Sequence, residues 1–127
     1  MGKHRIMYVD DEPNLLAAIA RALHEKRAHW DVLLFDNASA ALCEYRVRPA
    51  DVVITDMLMP DMDGVEFLIA IRRLDPGARV IAVSGDDRTG LEVALPAASM
   101  LGAVKTLRKP CRSHELIAAI EEILQRE

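Results

Sequence analysis

The sequence predicts one α/β domain of the (βα)5 type, a five-stranded parallel sheet sandwiched between two helical layers. Three observations predict it. Five short runs, apolar at almost every position, recur along the 127 residues, as strands buried on both faces of a parallel sheet require. Longer segments with helical apolar spacing separate them, so strand and helix alternate throughout. The length admits a single core, and aromatic residues are only 4% of the chain (Tyr8, Trp30, Phe35, Tyr45, Phe67), so that core is aliphatic. Right-handed crossovers and short connections then favour an open sheet covered on both faces.

The elements follow in order. Ile6-Met7-Tyr8-Val9 forms the first strand. Pro13, next to Glu12, is placed as a first-turn proline, and Leu15, Ile19 and Leu23 continue at i, i+4 and i+8. Val32-Leu33-Leu34-Phe35 is the second strand, followed by a helix over about residues 36–47. Val52-Val53-Ile54 is the third. Asp63 with Glu66 three residues on reads as a capping signature before Val65, Leu68 and Ile69. A turn at Asp75-Pro76-Gly77 ends that helix. Val80-Ile81-Ala82-Val83 is the fourth strand, and the helix after it, over about residues 87–101, is interrupted by Gly90 and Pro96. Residues 103–107, Ala-Val-Lys-Thr-Leu, alternate partly and read as an edge strand. Ser113 is placed to cap a last helix whose stripe is Leu116, Ile117, Ile120, Ile123 and Leu124.

Composition excludes several classes. Sixteen basic and twenty acidic residues leave a net charge of -4, which argues against direct binding to nucleic acid or an anionic membrane. Five rings leave little for base stacking. No apolar run approaches the ~20 residues of a membrane span. Acid follows the start too soon for a secretory signal, and Ile6 stands where myristoylation after Gly2 wants Ser or Thr. Cys43 and Cys111 form no CxxC, and His4, His24, His29 and His114 show no zinc spacing. The expectation is a cytoplasmic domain that fills residues 1–127, with no output domain in the chain.

In open parallel sheets, ligands bind beyond the carboxyl ends of the strands. There the sequence places Asp10, Asp11 and Glu12 after strand one, Thr55 and Asp56 after strand three, Ser84 and Gly85 after strand four, and Lys109 and Pro110 after strand five. Crowded carboxylates need a counter-ion. An all-oxygen site suits Mg2+, with Mn2+ a second choice, better than zinc. With such an ion Asp56 can attack a phosphoryl group, while Lys109 and Ser84 meet charge on its oxygens.

Asp10-Asp11, the segment VVITDMLMPDMDG at 52–64, AVSG at 82–85, LGA at 101–103 and LRKP at 107–110 occur in this order. Together they resemble the receiver domain of two-component response regulators, over essentially the whole chain. The resemblance implies a flavodoxin-like strand order of 2-1-3-4-5. It also implies that a histidine kinase or histidine phosphotransfer protein phosphorylates Asp56. By the same resemblance Asp11 and Asp56 ligate Mg2+, Asp10 supports the ion through water, and the Leu58 backbone carbonyl completes the protein ligands. Ser84 and Lys109 then contact the phosphoryl oxygens, the Lys109-Pro110 bond is cis, and the signal passes to a downstream protein or a second copy. Receivers usually carry Phe or Tyr three residues before the lysine. Here Thr106 stands there, so the implied switch runs through backbone and helix shifts over residues 84–101.

Other readings stand beside these. An aspartyl-nucleophile phosphohydrolase of haloacid-dehalogenase type needs a second aspartate two positions after Asp56, where Leu58 stands. A degenerate receiver would act only as a binding module, and Thr106 is its sole support. Met57, Met59 and Met62 read as packing residues. Gly85 and Gly90 have phosphate-loop spacing but Leu91-Glu92 follows where Lys and Ser or Thr belong. Cys43 reads as packed on a helix and Cys111 as sitting beside the last helix. Arg72-Arg73, Arg21 and Lys26-Arg27 read as solvated helix faces.

Overall fold

Pro13 opens the first helix as the sequence predicts, and the described elements that follow keep the same alternation. The computed structural model describes residues 4–26, 29–57, 64–84, 98–109 and 111–125. Strands β1 (His4–Val9), β2 (Trp30–Phe35), β3 (Val52–Asp56), β4 (Val80–Ser84) and β5 (Lys105–Arg108) make one parallel sheet in the order β2-β1-β3-β4-β5. Helices α1 (Pro13–Lys26), α2 (Ala38–Val47), α3 (Gly64–Leu74) and α4 (Ser113–Gln125) cover it. Both the (βα)5 reading and the strand order therefore hold. Among the described residues no helix is long and apolar enough to cross a membrane.

Side chains alternate across the sheet and divide the core in two. Met7, Val9, Val53, Val80 and Ala82 pack with Ala41 and Tyr45 of α2 and with Phe67, Leu68 and Ile71 of α3. Ile6, Tyr8, Ile54, Ile81 and Val83 pack on the other face with Leu16, Ile19 and Leu23 of α1 and Leu116, Ile120 and Ile123 of α4. A strand with both neighbours and both faces covered has no solvated side, so β1, β3 and β4 are buried at nearly every residue. The edge strands β2 and β5 are half-exposed, as foreseen for β5.

Boundaries shift where backbone bonding, not side-chain polarity, decides. Asp56 pairs with Val83 and Ser84 with Arg108, so both polar residues close their strands instead of following them. Helix α2 starts at Ala38 because the Asn37 side chain accepts the Ala40 N–H at 2.8 Å, an N-cap. Ser113 is not the cap of α4. The Arg112 carbonyl accepts the Leu116 N–H at 3.1 Å, and Glu115 Oε1 accepts the Arg112 N–H at 3.1 Å. That puts Arg112 in the cap position, with the reaching-back half of a capping box supplied by Glu115.

The Asp75 turn is as expected: Asp75 Oδ1 accepts the Gly77 N–H at 2.9 Å. Asp63 and most of the interrupted helix lie outside the described residues. Its end is seen, helical at residues 98–100. Gly102 (φ 104°) and Ala103 donate back to Ser99 and Ala98 at 3.1 and 2.9 Å, the left-handed closure that favours glycine. Two expectations change. Arg72 is half-buried, donating to the Ala78 carbonyl at 3.2 Å and lying against Gly102, so only Arg73 of that pair is a solvated face. Cys43 is exposed on α2, whereas Cys111 packs against the α1–α4 core cluster as read.

Candidate functional site

The carboxyl ends of β1 and β3 lie side by side, because Val9 is in register with Thr55. That single neighbourhood brings Asp10 and Asp56 together. Asp10 is fully buried and Asp56 is 7% exposed. Each is held by backbone bonding: the Asp10 N–H donates to the Phe35 carbonyl at 3.0 Å, and Asp10 Oδ1 accepts the Glu12 N–H at 3.0 Å. Thr55 Oγ1 donates to the Asp56 carbonyl at 3.0 Å. Asp11 is exposed at the mouth, and one oxygen from each of Asp10, Asp11 and Asp56 lies within 4.8 Å of the others.

Lys109 leaves β5 over the same rim. Its Nζ sits 2.8 Å from Asp10 Oδ2 and 3.3 Å from Asp56 Oδ2. Its backbone N–H donates to the Ser84 carbonyl at 2.8 Å, which ties the lysine to the end of β4. Burial pushes the ammonium pKa down, but the Asp10 and Asp56 carboxylates outweigh it, and the pKa is raised. Beneath the rim, burial and then the Asp10 charge push the Tyr8 hydroxyl well above its usual range. Among the described residues one cation, Lys109, faces the three carboxylates, which offer oxygen donors at one place. Ser84 is 1% exposed, and its Oγ is buried with no hydrogen-bond partner among the described residues. Buried hydroxyls are ordinarily satisfied, so this one stands ready for an acceptor.

Gly64 fixes the segment after Asp56. A Cβ there would stand 2.3 Å from Met57 Cα and 2.6 Å from the Asp56 carbonyl oxygen. The Gly64 N–H donates to the Met57 carbonyl at 3.1 Å. Only a residue without Cβ admits this approach of helix to strand end. Met57 is buried in the core, as a packing residue should be.

Asp10, Asp11, Asp56, Ser84 and Lys109 thus gather at one rim. Leu58 and Pro110, and with them the carbonyl ligand and the cis bond, lie outside the described residues, as do Met59, Met62 and Gly85. Thr106 is half-buried in β5, in register with Ala82. Sequence reasoning missed a second ionic cluster at the opposite end of β1. Arg5, 8% exposed, reaches Glu44 at 3.0 Å, Asp31 at 3.5 Å and the Arg48 carbonyl at 3.3 Å. Arg5 follows His4 at the start of β1, a charge just before the apolar run Ile6–Val9, which marks the residue but not its partners.

A five-stranded parallel sheet in this order, with an acidic pocket and a lysine at its carboxyl end, defines a signalling module built to take a phosphoryl group. Residues 6–121 match the response regulator receiver domain model, and the chain belongs to that family. It is 28% identical over 120 residues to the response regulator receiver protein CpdR of Brucella abortus, covering 94% of this chain and 96% of that one. It is 30% identical to the transcriptional regulatory protein TrcR of Mycobacterium tuberculosis, over 96% of this chain and 46% of TrcR, so it spans about half of that relative. A response regulator receiver domain protein from Methanospirillum hungatei superposes with a TM-score of 0.86 at 26% identity, covering 98% and 96% of the two chains. This is a receiver domain of two-component signalling, a class that histidine kinases phosphorylate. The phosphohydrolase reading is set aside.

Proposed function

We propose that Asp56 accepts a phosphoryl group from the phosphohistidine of a histidine kinase or histidine phosphotransfer protein, and that the acyl phosphate switches contacts with another protein. The observation that carries this is the convergence of Lys109 Nζ on both Asp10 and Asp56. A half-buried ammonium between two carboxylates marks where added negative charge is met.

The donor set fits a hard divalent cation: three carboxylates within 4.8 Å of one another, one of them exposed to solvent. Asp10, Asp11 and Asp56 would hold Mg2+, or Mn2+, with the Leu58 carbonyl as a further oxygen. When bound, that ion neutralises charge on the phosphoryl oxygens and favours an in-line approach.

The chain's own residues do the rest. An Asp56 carboxylate oxygen bonds to phosphorus as the phosphorus–nitrogen bond breaks. The electron pair leaves with the imidazole, which takes up a proton. Lys109 is long enough to hold Asp56 in place beforehand and to meet a phosphoryl oxygen afterwards. Ser84 offers its unpaired hydroxyl to another. Burial of Asp56 limits water around the anhydride, while Asp11 keeps the mouth polar.

In this reading residues 1–127 form one receiver domain acting in the cytoplasm. Its partners are proteins, a second copy among them, and a net charge of -4 disfavours nucleic acid or membrane. The test is incubation with acetyl phosphate and Mg2+ followed by intact mass. A gain of ~80 Da, one phosphoryl group, is expected, absent in Asp56→Asn and after chelation. A gain that persists in Asp56→Asn overturns the assignment. Multiple turnover of a phosphomonoester would favour the hydrolase instead.

A further inference from the structure

Strand β2 ends the sheet, and no described strand lies beyond it. Its sequence, WDVLLF, carries no lysine and no proline, the residues that ordinarily blunt such an edge. The Phe35 carbonyl accepts from Asp10 N–H and so faces β1. Backbone groups alternate along a strand, which turns the N–H and C=O of Val32 and Leu34 outward. Val32, Leu33, Leu34 and Phe35 are all half-exposed. Beside this edge a groove of about 450 Å³ is lined by Pro13, Leu16 and Ala17 of α1 and by Leu34, Phe35 and Asp36. An outward backbone row and an adjoining apolar groove are what an added strand needs: main-chain bonds for affinity, a slot for alternate side chains.

Charge decides between occupants. Asp36 and Glu12, both exposed, stand at the carboxyl end of the groove. Asp31 stands at the other end of β2, sharing the single Arg5 guanidinium with Glu44. Antiparallel self-pairing of β2 would lay the Asp31 end of one copy against the Asp36 end of the other, concentrating like charge. A second copy is therefore disfavoured. A segment with basic flanks is favoured at both ends. We propose that the β2 edge and the α1–β2 groove form a docking site for an extended, apolar peptide segment of a partner protein, flanked by Lys or Arg. This site lies outside the phosphoacceptor pocket and needs no phosphorylation.

The probe is a blocked peptide of roughly eight residues, strand length, with alternating Val and Thr between paired lysines; its counterpart carries glutamates instead. Backbone amide shifts of the 15N-labelled chain are followed on titration. Binding of the lysine peptide is expected, with shifts confined to residues 13–17 and 30–36 and slowed exchange at Val32 and Leu34. The glutamate peptide should not bind, and Asp36→Lys should weaken the lysine peptide at least fivefold. Val32→Pro removes an outward N–H only, so it should abolish binding while acetyl phosphate labelling is unchanged. Leu34→Lys, which fills the groove, gives a second variant should the proline unfold the strand. No binding at millimolar peptide, shifts elsewhere, equal binding of the glutamate peptide, or a β2-dependent dimer without peptide would each overturn the proposal.

Discussion

Gly64→Ala separates two effects of opposite sign. Helix propensity alone makes alanine the better residue in α3 by at most about 1 kcal/mol. The structure opposes that gain. The new Cβ would lie 2.3 Å from Met57 Cα and 2.6 Å from the Asp56 carbonyl oxygen, against an ordinary contact of 3.4–4 Å. Both neighbours are backbone, and the Met57 N–H is already committed to the Val83 carbonyl at 2.9 Å. Relief must come by moving α3 away from the end of β3. Overpacking of this kind costs about 1–3 kcal/mol, and an overlap of more than an ångström lies at the upper end. The expected net loss is about 1–2 kcal/mol, or roughly 3–8 °C in Tm for a domain of this size. Because Asp56 moves with its carbonyl, acetyl phosphate labelling should slow by about 10- to 100-fold. Thermal unfolding and timed intact-mass labelling measure both. Gly77→Ala is the control: its Cβ meets only Asp75 Oδ1, at 3.4 Å, and a change within about 0.5 kcal/mol is expected. If Gly64→Ala is as stable as the parent and labels as fast, the close-approach argument is wrong.

Lys109→Met leaves Asp10 and Asp56 without their shared ammonium, and a loss of about 1–3 kcal/mol is expected in chelator. The gap to the parent should narrow on adding Mg2+, read by Tm across a Mg2+ titration; a constant gap would refute the charge-balance account. Arg5→Ala removes a buried side chain and its bonds to the half-exposed Glu44 and Asp31, and should cost about 1–2 kcal/mol by denaturant unfolding. Its labelling of Asp56, once folded, should match the parent. For Tyr45, burial first and then the 2.6 Å bond to Asp75 raise the hydroxyl pKa far above its ordinary value of 10.0. The fold thus favours the protonated phenol, so this contribution is complete below about pH 10 and is lost as pH rises above it. Tyr45→Phe should lose about 1–2 kcal/mol at neutral pH, yet fall less steeply than the parent between about pH 9 and 11. Equal slopes would show that Tyr45 does not titrate this way.

The strands were legible because a two-sided sheet core admits little but apolar residues, and β1, β3 and β4 wrote that requirement plainly. The site was legible for a related reason: ionisable residues directly after such runs are displaced from the core yet held at its rim, as Asp10 and Lys109 are. What escaped depended on partners distant in sequence. Nothing local marks Arg5 as the hub for Asp31, Glu44 and Arg48, nor Arg72 as the cover of Gly102. Ser113 has the better capping chemistry, but Arg112 took the cap position because the first helical bond closes on its carbonyl. Gly64 was visible as a motif letter, while its reason, a backbone contact with Met57, exists only in three dimensions.

Strand β1 carries an ionic cluster at each end, and the contrast explains why only one is suited to transfer. At the amino end Arg5 spreads one charge over a planar fork, with Glu44, Asp31 and the Arg48 carbonyl each taking part of it. Asp51 Oδ2 accepts the Arg5 N–H at 2.7 Å, and the Asp51 N–H donates to the Arg5 carbonyl at 2.8 Å. Its two terminal nitrogens are shared in fixed directions, and a guanidinium held so cannot swing to a new anion. At the carboxyl end the cation is a lysine, a point charge on a flexible stem that can trade one oxygen for another without losing its direction. Its carboxylates crowd within 4.8 Å, and a buried serine hydroxyl beside them has no partner among the described residues. In the first cluster both terminal guanidinium nitrogens are committed to fixed partners, though the buried Arg5 Nε has none among the described residues. The second keeps a movable ammonium and, among the described residues, an unengaged hydroxyl, which is the condition that receiving a phosphoryl group requires.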